Sequence, residues 1–210
     1  MNNIIYYCTP YKRKKHLGGE IMCNILEKIR NKNPYELFDE YHIQLTLPIN
    51  ISLLLDEIGI SVIAKDFTNI ENECNFSPGS ILGAALSKEE SLAIFYRKSD
   101  TLHRKKFTIA HELAHCCFDC PENETSHIEL RLEPFINLTE NELQKERRAN
   151  IFAGQLLMPK DILLSHYNNM IIPSLTELAK IFEVSTSAMA ARLDYLKKPY
   201  YKDSITEIII

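Results

Sequence analysis

The sequence has no tryptophan, and only 6 glycines, 9 prolines and 6 cysteines in 210 residues. Scarce glycine and proline exclude a collagen-like repeat and a broadly disordered chain. No uncharged apolar run approaches the ~18 residues of a membrane span, so no bilayer helix is expected. An excess of one charge sign is missing too: 24 Lys+Arg stand against 28 Asp+Glu, a formal net charge of −4. That balance argues against a nucleic-acid protein held by bulk charge, and leaves room only for a local basic face. The cysteines (Cys8, Cys23, Cys74, Cys116, Cys117 and Cys120) are too few for a disulfide framework, and three of them crowd beside two histidines. The basic run Lys12–Lys15 leads into His16-Leu17-Gly18-Gly19-Glu20, where an export signal needs an apolar stretch. The cytoplasm is therefore the expected compartment. What remains is an ordinary globular composition, 45% hydrophobic and 25% charged.

The pattern along the chain divides it into an aperiodic extension (1–21), a main domain (22–170) and a small helical C-terminal module with a tail (171–210). Gly18-Gly19-Glu20 can be encoded by a purine-rich ribosome-binding sequence just before Met22. Two expectations follow for the extension: translation that starts at Met22, or a genuine flexible arm. Helical spacing begins after Met22 (Ile25, Leu26, Ile29) and recurs at Leu37, Phe38 and Tyr41. Ile51–Ile58 suits a buried helix closed by Gly59, and Ile60–Phe67 a strand. Ile81–Leu86 and Leu92–Tyr96, separated by Ser87–Ser91, read as a hairpin. Phe107, Ala110, Ala114 and Cys117 mark one strong helix. A second opens at Thr139 with Glu142 as a capping box, and ends at Met158-Pro159. Leu175–Phe182 and Thr186–Leu196 read as two short helices.

The first strong helix contains His111-Glu112-Leu113-Ala114-His115. Residues four apart on a helix lie about 40° apart around its axis, so both imidazoles face one point and can share a zinc ion. Glu112 is rotated by about 100° from His111, which places its carboxylate beside a metal-bound water as a general base. The bland alternative is an amphipathic helix with two solvated histidines. Phe118 and Pro121 occupy the positions where a metzincin has Gly and a third His, so that class is excluded. A carboxylate from the second helix is the remaining source of a third ligand. Glu146 is the candidate, with Asn150 one turn on to orient a histidine. Glu140 and Glu142 compete, although Glu142 already has a role as a cap.

Arg104–His115 fits an R-x-x-F-T-x-A-H-E-x-x-H helix. Glu146–Pro159 fits E-x-x-A-N-x-F-A-x-x-L-L-M-P. Together these blocks resemble the ImmA/IrrE family of cytoplasmic metallopeptidases, with weaker similarity across Pro48–Phe67 and Val184–Leu193. The resemblance implies an α+β, minimal zincin-like fold with a small sheet, two metal-binding helices and a C-terminal helix-turn-helix-like module. It implies His111, His115 and Glu146 as ligands of Zn2+ (Mn2+ being the alternative) and Glu112 as catalytic base. It also implies an endopeptidase, often encoded on a phage or mobile element, that relieves repression by cutting a helix-turn-helix repressor. Ala114 and Asp119 stand where the family often has Gly and His, and neither is expected to touch the ligands. By the same resemblance, extended substrate would lie along the hairpin's second strand, Leu92–Tyr96.

Two further features have rival readings. Cys117-x-x-Cys120 could be a redox or metal pair, but buried thiols with an exposed, oxidisable Cys120 are preferred. The C-terminal helix pair has the size of a helix-turn-helix, yet Arg192 is the only base on its second helix. Docking on the catalytic core or on a protein partner is therefore expected rather than direct DNA binding. From another functional class, a non-catalytic protein could regulate a repressor or toxin by stoichiometric contact. An intact Glu112 favours the enzyme.

Overall fold

The computed structural model describes residues 25–88, 91–121, 126–132 and 138–202. The extension 1–21, the expected start at Met22, and most of the C-terminal tail lie outside the described residues. Three helices come first: α1 (Ile25–Ile29), α2 (Pro34–Glu40) and α3 (Ile51–Ile58). Asn33 and Glu36 form a capping box that starts α2, and Gly59 closes α3 in the left-handed conformation (φ 94°). Strand β1 (Ser61–Lys65) and helix α4 (Thr68–Glu73) lead into the hairpin β2 (Ile81–Lys88) and β3 (Ser91–Arg97). Then come α5 (Leu102–Phe118), β4 (Ser126–Leu132), α6 (Glu140–Leu157), α7 (Lys160–Asn168), α8 (Leu175–Ile181) and α9 (Thr186–Tyr195). The result is a mixed α+β fold, in agreement with the expectation.

The sheet order is β1-β3-β2-β4, with β1 parallel to β3 and the other pairs antiparallel. Its side chains alternate as the pleat requires. Leu92 and Ile94 join the main core shared with α5 and α6, whereas Ala93 and Phe95 face a smaller cluster with Phe67 and Ile70. Strand β2 runs further than expected, through a buried Ser87 to Lys88. A second correction concerns the substrate strand. Strand β3 lies between β1 and β2, so both of its edges are already hydrogen-bonded and cannot hold a peptide. Among the described residues the free edges belong to β1 and β4.

Helices α8 and α9 meet at Glu183, which adopts a positive φ of 50°. Leu178, Phe182, Met189 and Leu193 join the same core as Leu156 and Met158 of the α6 end. Lys106 on α5 also pairs with Glu183 at 2.5 Å. The C-terminal helix pair is thus docked on α5, which carries the two histidines, and on α6. Among the described residues no helix is long and apolar enough to cross a membrane.

Candidate metal centre

Helices α5 and α6 lie side by side because small residues face each other: Ala110 and Ala114 on one, Ala149 and Ala153 on the other, all buried. Thr101 caps α5, accepting a hydrogen bond from the Arg104 amide. Thr139 and Glu142 cap α6 reciprocally, with Glu142 Oε2 accepting from the Thr139 amide at 2.7 Å. That role removes Glu142 from competition, and Glu140 is exposed and bonded to Gln144. Glu146 is the carboxylate that α6 turns toward α5.

His111, His115 and Glu146 bring one donor atom each within 4.8 Å of one another. The two histidine Nε2 atoms are 3.0 Å apart. Glu146 Oε2 is 3.1 Å from His111 Nε2, and its Oε1 is 3.4 Å from His115 Nε2. The opposite ring nitrogens are tied down. His111 Nδ1 lies 3.0 Å from Asn150 Oδ1, and His115 Nδ1 lies 2.9 Å from Asp119 Oδ2. Both partners are acceptors, so each Nδ1 carries the proton and each Nε2 presents a lone pair. Lone pairs and a carboxylate that converge with no hydrogen among them repel unless a cation stands between them.

Electrostatics supports the same protonation pattern. Burial pushes the His111 imidazole down to about 4, against the pull of Glu146, so it is neutral at neutral pH. Burial would raise the Glu146 carboxyl, but the two imidazoles it faces hold it well below the usual carboxylate range, so it is ionised. A neutral imidazole pair with an ionised carboxylate is the protonation state that ligands require. Two nitrogens and one oxygen suit a borderline cation such as zinc. Three protein ligands, rather than four, are typical of a site that keeps a position open. The residues fit a divalent metal ion.

A family model described as the IrrE N-terminal-like domain, of the peptidase family M78, matches residues 55–194, well over half of the chain. The chain belongs to this family. No curated protein matches it. The IrrE-like peptidase match spans both metal-site helices, the sheet and the docked helix pair.

Glu112 is fully buried and stands outside the converging three, as its rotation on α5 dictates. Its carboxylate faces Gly83 of β2. A Cβ built on Gly83 would lie 3.0 Å from Glu112 Oε1, 2.5 Å from Thr108 Cγ2 and 3.1 Å from the Phe95 carbonyl oxygen. Gly83 follows an irregularity where Leu82 has no counterpart on β4, so the sheet presses backbone, without side chain, against the helix. Gly83→Ala is expected to displace Glu112, cost about 1–3 kcal/mol of stability, and lower any peptidase activity. Urea unfolding together with a cleavage assay tests this, and wild-type values in both would contradict the close approach.

Asp119 is the site residue that sequence reasoning missed. It does touch a ligand: besides His115, it bonds Arg148 Nη2 through Oδ1 at 2.5 Å, with Lys145 Nζ at 3.7 Å. Burial would raise its carboxyl, but the His115 hydrogen bond and the basic neighbours hold it below the usual range. The available signal was its position four residues after His115, on the same helix face. Asp119 thus aims one histidine and ties the end of α5 to α6, as Asn150 aims the other. Removing either partner with Asp119→Ala or Asn150→Ala should weaken metal binding about 10–100-fold. Chelator competition measures it, and unchanged affinity in both variants would show that neither orients a ligand.

The cysteines are bystanders. Cys116, Cys117 and Cys120 are free and all buried, which corrects the expected exposure of Cys120. Burial pushes the Cys117 thiol far up, and a hydrogen bond that the Cys116 S–H donates to Cys120, together with burial, does the same for Cys116, so neither is a reactive thiolate.

Proposed function

We propose that the protein is a zinc-dependent endopeptidase of the cytoplasm that hydrolyses a peptide bond in a helix-turn-helix repressor. The observation that carries the reading is the His111–His115–Glu146 donor set in a member of a peptidase family. A divalent ion held by these three residues would supply Lewis acidity toward the substrate carbonyl and the attacking water. Glu112, held in place by the bare backbone at Gly83, accepts the proton of that water and passes it to the leaving amine nitrogen. Asn150 and Asp119 hold the protons on the two Nδ1 atoms and aim both Nε2 atoms at one point. Manganese is the alternative ion, since the donor set does not discriminate sharply between them.

The free edge of β4 can hold extended substrate beside the site, because Arg131 of this strand reaches toward Thr108 on α5 at 3.5 Å. Arg192 turns inward rather than toward solvent, which supports a protein rather than a DNA partner for the C-terminal helices. Incubating the zinc-loaded protein with a small helix-turn-helix protein encoded beside it is the test. Two fragments that vanish on chelation are expected. Derepression in cells with the repressor left intact would instead support stoichiometric binding.

A further inference from the structure

Next to the metal centre lies a cleft of about 650 Å³ between α5, α6 and α9, floored by β2 and β4. Asn150, which lies 3.0 Å from His111 Nδ1, lines it, so the cleft adjoins the metal site. Phe107, Ile151 and Tyr195 give it apolar walls. Three arginines line it as well, and none of the described lining residues is acidic, although the whole chain has a net charge of −4.

Two of these arginines have other partners: Arg104 pairs with Asp100 at 3.6 Å, and Arg131 lies over the Phe107 ring. Arg192 is different. It is only 5% exposed, yet no carboxylate among the described residues pairs with it, and the side chains that bear on its charge are two phenols, Tyr35 and Tyr195. Its Nε donates to the Met158 carbonyl at 3.1 Å, and its guanidinium stands 5.6 Å from the Tyr195 ring centroid. That single hydrogen bond satisfies an open carbonyl at the end of α6 and uses one edge of the fork. A structural role would end there. The remaining N–H groups are left for the cleft that Arg192 lines, so a nearly buried side chain offers an open, unmatched cation there. A planar fork in an apolar-walled slot matches a carboxylate on a short stem.

We propose that this cleft is a specificity subsite that takes an acidic side chain, Asp or Glu, of the peptide substrate, with Arg192 as its partner. The proposal rests on the peptidase reading above. The carboxylate would sit against Arg192 while its methylene stem packs between Phe107, Ile151 and Tyr195. Specificity would come from leaving the buried guanidinium unmatched whenever the side chain is neutral.

The test uses the full-length, zinc-loaded chain and a C-terminally amidated peptide library, with products identified by mass spectrometry. An acidic residue should be enriched at one fixed position relative to the cut. In matched peptides, changing that Glu to Gln should lower kcat/KM about tenfold or more, with no change to the protein itself. Arg192→Lys, which retains charge but lacks the fork, should lose most of the Glu-over-Gln preference, read as the ratio of the two peptides' kcat/KM in one preparation. Cleavage without acidic enrichment would overturn the subsite and leave the peptidase reading standing. If no peptide is cut, the peptidase reading fails, and binding of the same peptide pairs by fluorescence anisotropy decides the subsite. Tighter Glu binding then supports it, and equal binding overturns it. In free-acid counterparts of the same peptides, a preference that appears only with the free C-terminal carboxylate would also overturn the side-chain assignment.

Discussion

Glu112→Gln is expected to leave a folded, metal-loaded protein and to lower peptide cleavage by about two to four orders of magnitude. The amide matches the carboxylate in shape and fits the same space against Gly83, where Glu112 is fully buried. It cannot accept a proton from water. Because Glu112 is not one of the three converging donors, metal content should stay at the wild-type level. Elemental analysis, thermal unfolding and a gel-based cleavage assay on one preparation separate the three quantities. Cleavage within a few-fold of wild type would remove Glu112 from the general-base role. Loss of metal would place it among the ligands.

The second large effect belongs to the ligands. His115→Ala and Glu146→Gln should each weaken metal binding by more than the 10–100-fold expected for partner residues, so that dialysed protein loses its ion. Glu142→Gln provides the control on the same helix. It keeps the capping-box geometry with Thr139 but removes a negative charge from the helix N-terminus, should cost about 0.3–1 kcal/mol of stability, and should leave metal content untouched. Full metal retention in both ligand variants would defeat the assignment. Loss in Glu142→Gln alone would move the third ligand to the helix N-terminus.

Some elements were legible in the sequence because local rules decide them. Helices α5 and α6 combine an apolar stripe with their own caps, and α3 ends at a glycine that only the left-handed conformation needs. Other elements carry no such pattern. Helix α4 is Thr-Asn-Ile-Glu-Asn-Glu, with Ile70 as its only buried apolar side chain, and no periodicity can emerge from one residue. It persists through Glu71, a buried carboxylate that accepts from the Gly79 and Ile81 amides and pairs with Arg97 of β3. Strand β4 has the charged sequence Ser-His-Ile-Glu-Leu-Arg-Leu, and its strand character is set by pairing with β2.

The sequence by itself determined the family, the two helices and the chemistry they can carry, since the spacing of His111, Glu112 and His115 fixes their relative directions on any α-helix. It also narrowed the third ligand to the carboxylates of α6 and named Asn150 as a partner. Only the tertiary structure decided which of those carboxylates faces the histidines, that Asp119 holds His115, that Cys120 is buried, and that β3 has no free edge. It also decided that Arg192, an ordinary base on a short helix by sequence, is a buried cation facing a cleft. The physical reason is that direction along one helix follows from its own period. Burial, pairing and the sign of a cleft depend on how α5, α6, α9 and the sheet pack, and one element's sequence does not contain that information.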